Sequence, residues 1–300
     1  MERKIDFHHY STWFYPAVLA CWSIFVFVKF STHTYFPHPF PSVAIDGSAL
    51  PREAQLTRNS LDELLKQFMT EKNPDERKHI CHNIGTSYYD IYRESGSQVY
   101  LDSAMGWVQQ SIAMGKPVGR FLYNLGRIYT EFGAHTHAKS AYEQAIVLDP
   151  KNILSMHNLG LLTFFELKKP REASTYLKQA LTIDSILPMC NLVLGLIDLD
   201  ISNYSSAEYH LEKEITIGNS FLAAPRDLPI TNDKVLLAQG LAHWNLSLLF
   251  SSKKINMEKA EQHFHAYLAL ETNPQKRQDA IQQMSRYWTM QAPPGETGAR

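Results

Sequence analysis

One short word recurs along this chain and limits what it can fold into. His82-Asn83-Ile84-Gly85, Tyr123-Asn124-Leu125-Gly126, His157-Asn158-Leu159-Gly160 and Trp244-Asn245-Leu246-Ser247 are variants of it, and Leu192-Val193-Leu194-Gly195 keeps the Leu-Gly without the Asn. The apolar residues at 84, 125, 159, 194 and 246 stand 41, 34, 35 and 52 residues apart. Self-similarity with a period of roughly 20–50 residues marks units too small to bury their own apolar faces, so that stacking three or more of them creates the core. Two of the spacings fit one another and two carry insertions. The first insertion is expected in the turn around Arg93 to Gln98, the second over 217–233, through Pro225 and Pro229. A composition of 44% hydrophobic and 20% charged residues is enough to fill such a core.

The unit starting at Gly119 carries Leu122, Leu125, Gly126, Tyr129, Ala138, Tyr142, Ala145 and Pro150 in order, and this set resembles the tetratricopeptide-repeat (TPR) family. The next unit has Met156, Leu159, Gly160, Ala173, Leu177 and Ala180, with one residue extra near Lys168-Lys169-Pro170. The fourth keeps Leu194, Gly195, Ala207 and Leu211 but has Asp198 and Glu214 where the family prefers an aromatic residue and Ala. The fifth carries Trp244, Leu246, Phe250, Ala260, Phe264 and Pro274, and the first offers Ala104, Val108 and Ser111 on its second helix. The resemblance implies an all-α solenoid of about five helix pairs over 78–274. A helix within 56–77, with apolar Leu61, Leu64, Leu65 and Phe68, would cap one end, and a helix over 275–291 the other. Residues 292–300, rich in Pro and Gly, read as a disordered tail.

Ahead of the repeats, Tyr10 to Val28 is a run of nineteen uncharged residues opened by Tyr10, Trp13, Phe14 and Tyr15. That length and the aromatic belt predict a transmembrane anchor over 10–30, behind a short tail of 1–9. A cleaved signal peptide, or a lipoprotein signal ending at Cys21, is the competing reading, opposed by the apolar run that continues from Trp22 to Val28. Residues 31–55, with Pro37, Pro39, Pro41 and Pro51, read as a semi-rigid spacer. The chain is therefore expected to be a single-pass membrane protein; in a bacterium, the basic Arg3 and Lys4 would stay inside and the repeats would face the periplasm from the inner membrane.

In TPR proteins the first helix of each pair lines a concave groove, and the resemblance places Asn83, Asn124, Asn158 and Asn245 there as a ladder. A side-chain amide both donates and accepts, so such a row can hold an extended peptide by its backbone. His82, Arg120, Tyr123 and Arg127 join it at one end, where they could receive an acidic group, while His157, Leu161, Phe164, Phe165, Leu196 and Trp244 make the other end apolar. That apolar stretch awaits either a partner or the 217–233 insertion itself. The expected function is a membrane-anchored scaffold that gathers protein subunits or peptide segments into a membrane or envelope complex. A cytosol-facing targeting receptor and a permanent structural subunit of a larger complex are the alternatives.

Other functions find little support. The net charge of −1, from 29 basic and 30 acidic side chains, gives no footprint for a nucleic-acid backbone. Three cysteines (Cys21, Cys81, Cys190) lie far apart without CxxC spacing, thirteen histidines include no HExxH, and no Gly-rich phosphate loop occurs. Neither a metal, a cofactor, a small-molecule substrate nor an enzymatic activity is expected.

Overall fold

In a computed structural model the described residues are 52–291, apart from 225, 227, 254 and 255. They fall within one compact unit, Asp46–Arg300. The tail 1–9, the anchor segment 10–30, most of the spacer 31–55 and the tail 292–300 lie outside them. Among the described residues no helix is long and apolar enough to cross a membrane.

The described residues form twelve helices and no strand. Helix α1 (Arg52–Thr70) precedes five hairpin pairs: α2 (Pro74–Ser95) with α3 (Gln98–Ala113), α4 (Gly119–Glu131) with α5 (His135–Leu148), and α6 (Ile153–Phe165) with α7 (Pro170–Ile183). The fourth pair is α8 (Cys190–Asp200) with α9 (Tyr204–Ala223), the fifth α10 (Asn232–Ser252) with α11 (Met257–Leu270), and α12 (Pro274–Gln291) follows. First helices of successive pairs touch one another, so α2, α4, α6, α8 and α10 share one face, the inner face. Local chemistry sets several of the ends. Asn73, Asn152 and Asn256 cap α2, α6 and α11 by accepting from Asp75, Ser155 and Lys259 N–H. Pro74 and Pro170 open α2 and α7, where the missing N–H costs nothing, and Gly96 closes α2 at φ 69°, a left-handed conformation open to Gly.

The Leu-Gly word is a packing device. A Cβ on Gly126 would come within 2.6 Å of the Tyr142 ring, and one on Gly160 within 2.5 Å of Leu177 Cδ2. The absent side chain lets the two helices of a pair close, and Ala138, Ala173 and Ala207, all fully buried, do the same from the second helix. Both ends of the stack are covered. Leu61 and Phe68 of α1 are buried, and Phe68 packs edge-on to Trp107 at 5.2 Å. At the far end Ala280 and Met284 of α12 are buried and Trp288 donates to Ser251 Oγ at 3.0 Å.

Two expectations about segments need correction. The first insertion does not widen a turn: α2 remains helical through Ser95, and only Gly96 and Ser97 separate it from α3. The added residues lengthen the helices. The spacer ends sooner than residue 55, since α1 begins at Arg52. Within the insertion over 217–233, α9 runs on to Ala223 and α10 starts at Asn232, leaving 224–231 as the connection. Apolar residues at helical spacing explain these helical ends: Ile217 and Phe221 in α9 and Val235 and Ala238 in α10 are all buried.

Candidate functional site: the inner face

At the α2–α4 end of the inner face, Phe121 is a buried hub. The His82 ring stacks on it at 4.0 Å, His79 meets it edge-on at 5.3 Å, and the Arg120 guanidinium carbon stands 5.9 Å from its centroid. Arg127 donates to Asn124 Oδ1 at 3.2 Å, and a guanidinium can only donate. The Asn124 NH2 therefore faces His82 Nε2, 3.0 Å away, and His82 accepts there, which puts its ring proton on Nδ1. Burial, with the nearby Arg120 and His79 charges, pushes the His82 pKa down to about 3, so the ring stays neutral. Arg127 also lies over Tyr89 at 4.4 Å, while Tyr89 and Tyr92 donate to Glu131 at 3.0 and 3.4 Å.

The four asparagines divide by environment. Asn124 is bonded to its own helix and to the preceding unit. Asn158 bonds His157 Nδ1 at 3.0 Å, within its own helix, and lies near the hydroxyls of Tyr123 and Tyr142 in the second unit. Asn245 donates to Leu241 O in its own helix at 2.7 Å. Asn83 is exposed, and among the described residues its side chain has no hydrogen-bond partner. Arg120 is exposed too, with neither hydrogen bond nor ion pair among the described residues. Tyr123 and His82 are buried beneath them.

The α6–α8 end is covered by the chain itself. Leu161, Phe164, Phe165 and Leu196 join one hydrophobic cluster with Phe221 and Leu222 of α9, Leu228 and Ile230 of the connection, and Val235 of α10. Arg226 in the connection donates to Asp184 Oδ2 at 2.6 Å. His157 is buried beside them, its Nε2 3.0 Å from the Pro188 carbonyl. Lys234 reaches further along the face. Burial lowers its pKa, and the Arg93 charge, opposed by Glu131 and joined by Arg127, sets the rest of its environment. Trp244, expected among the groove residues, is 2% exposed and sits against Tyr267 at 5.2 Å and Phe264 at 6.2 Å, inside the fifth pair.

Sequence reasoning missed the role of one contributor. Glu214, at a place where the family prefers Ala, is fully buried and accepts from the Met189 and Leu192 N–H groups at 2.6 and 3.2 Å. It caps α8, whose own N-cap residue, Met189, has no capping side chain and sits at φ 70°. Burial outweighs these bonds and raises the Glu214 pKa to about 7. Of the two occupants the sequence left open for the apolar stretch, the 217–233 insertion is the one seen there, through Phe221, Leu222, Leu228 and Ile230. Among the described residues no group of three or more His, Cys, Asp or Glu is placed to hold a metal. Cys81 and Cys190 are buried, and burial pushes the Cys81 thiol up to about 12.

Residues 119–152 and 154–186 match the family described as tetratricopeptide repeat. No curated protein matches the chain in sequence. Among solved structures, PilF of Pseudomonas aeruginosa is similar with a TM-score of 0.52 at 15% identity, over 77% of this chain and all of that one. MamA of Desulfovibrio magneticus RS-1 has a TM-score of 0.46 at 14% identity, over 74% of this chain and 97% of that one. A tetratricopeptide repeat protein of Parabacteroides merdae has a TM-score of 0.45 at 14% identity, over 77% of this chain and 93% of that one. Within a continuous stack of helix pairs, the chain therefore carries tetratricopeptide repeats.

Proposed function

We propose that this protein is a membrane-anchored scaffold that captures a protein segment on the α2–α4 end of its inner face and holds it near the bilayer for assembly into a membrane complex. One observation carries the choice of site. On a face where Asn124 is bonded internally and the apolar half is covered, Asn83 and Arg120 are exposed and make no hydrogen bond or ion pair among the described residues. Asn83 offers two donors and an acceptor to a peptide backbone, and Arg120 a fork suited to a carboxylate. The segment bound there is extended and carries an acidic group. The uncharged run Tyr10 to Val28 supports the anchor.

A photo-crosslinking residue placed at Asn83 in the full chain, in native membranes, tests this. It is expected to capture a discrete partner that the same residue at Val147, which is 78% exposed and lies on α5, a second helix, does not capture. Adding Arg120→Ala should reduce capture about tenfold or more, the loss of one charge-assisted pair, without changing helicity. Capture that is equal at both places, or indifferent to Arg120→Ala, overturns the site. Release of the full chain from membranes by alkaline carbonate overturns the anchor.

A further inference from the structure

The helices α9 and α10 are 20 and 21 residues long, whereas α4 to α8 are 11 to 14. The surplus is the end of α9, residues 217–223, and the start of α10, residues 232–239. These stretches are held to each other tightly. A Cβ on Gly218 would meet Gln239 Cγ at 2.5 Å, and Gln239 donates to Ile215 O at 3.1 Å and to Asn219 Oδ1 at 2.7 Å. Together they present Phe221, Leu222 and Val235 to the cluster that holds Leu161, Phe164 and Leu196. We propose that these two extensions are an intramolecular ligand: they occupy the α6–α8 part of the inner face as an amphipathic helical partner would, and so keep it closed to one.

Three features make this an occupied binding face as well as a thicker core. The covered residues Leu161, Phe164, Phe165 and Leu196 stand on α6 and α8, first helices that line the inner face. The extensions lie outside the 34-residue spacing that the chain keeps between 125 and 159, so removing their contacts leaves the helix pairs whole. Arg226 ties the covering segment to the α7–α8 connection through Asp184, whose side chain is 12% exposed against 36% for the arginine, so a half-buried ion pair latches the segment from outside the apolar cluster. The face therefore fits an amphipathic helix with Phe, Leu and Val on one side, and the covering segment is itself such a helix pair. This inference stands apart from the capture site, because Asn83 and Arg120 are exposed and are not part of the cluster that the extensions cover.

The test uses a labelled synthetic peptide of residues 217–239 added to the full chain. Arg226→Ala with Ile230→Asp removes the ion pair and puts a charge into the cluster where Ile230 is buried. The peptide is expected to bind this double variant at least ten times more tightly than it binds the parent, which is already occupied. Equal binding to both, or binding to neither, overturns the proposal. Should the double variant lose its helicity, hydrogen exchange on the parent decides. If 217–223 and 232–239 open in a step distinct from global unfolding, they are a displaceable ligand; if they exchange only when α6 and α8 do, they are fixed core and the idea fails.

Discussion

Glu214 shows how one residue can alter a unit that the repeat pattern describes as ordinary. Its carboxyl is fully buried, and the α8 N–H groups it accepts from offset only part of the desolvation, so its pKa rises from 4.5 to about 7. A carboxyl with a raised folded pKa contributes stability that is complete below pH 4.5 and is lost as pH rises through about 7. Replacing Glu214 with Gln, a neutral group of the same shape, should therefore make the variant gain on the parent as pH rises. The gain between pH 4.5 and 8 should be roughly 3 kcal/mol, at about 1.4 kcal/mol per unit of pKa. Urea unfolding of both proteins at several pH values reads this directly; a difference that does not change with pH would show that the cap is ionised throughout. Nothing local announces such a cap in the sequence. Its partners, Met189 and Leu192, are more than twenty residues away, and a Glu inside a helix reads as a solvated face.

Among the elements, helix pairs are the part the sequence expresses most openly. Gly126 and Gly160 mark where two helices nearly touch, and the alanines opposite them report the same closeness from the other side. Adding a methyl at Gly126 tests that closeness. Tyr142 is fully enclosed and its hydroxyl lies 3.3 Å from Thr130 Oγ1, so the ring cannot swing away from a Cβ at 2.6 Å. Overpacking of this kind costs about 1–3 kcal/mol, and the better helix propensity of Ala returns up to about 1. Gly126→Ala should thus lower the unfolding midpoint by a few degrees in a thermal melt; an unchanged or raised midpoint would mean that the pair can part without cost. Helix extensions are harder to read than helix pairs. Pro225 and Pro229 announce a break between the fourth and fifth units, yet the apolar residues on either side continue the helical spacing almost to it. The asparagine row shows the other difficulty, since the same amide chemistry serves a peptide or a neighbouring helix. Only the fold separates exposed Asn83 from Asn124, which is spent on an inter-unit bond to His82, and from Asn158, which is bonded to His157 beside it.

For the whole stack, histidine governs the response to acid. His82 and His243 are pushed down to about 3 and 4, and His157, His210 and His263 are also lowered, in each case chiefly by burial. Two of them, His243 and His263, hydrogen-bond each other through Nδ1 at 2.9 Å between α10 and α11, an arrangement that needs one neutral ring to accept. For such groups the unfolded chain takes up protons near pH 6.5 that the folded sites refuse, so their stability contribution is present above 6.5 and is lost as pH falls. Five lowered histidines oppose a single raised glutamate over this range. The net expectation is a midpoint of chemical unfolding that falls steadily from pH 7 to pH 5, and one that falls further in Glu214→Gln; a flat profile would refute the neutral-histidine account.

An ordinary repeat array is modular: units can be duplicated or dropped in evolution because each touches only its neighbours. The covering segment breaks that freedom here. It leaves the fourth and fifth units, lies on α6 of the third, and through Lys234 reaches the surroundings of Arg127 in the second and Arg93 in the first. Its length suits a seat on α6 and α8, so gaining or losing a repeat between α6 and α9 would pull it out of register with that seat. A lineage carrying this segment can vary its outer helices and its tails, but its repeat count between α6 and α9 is locked.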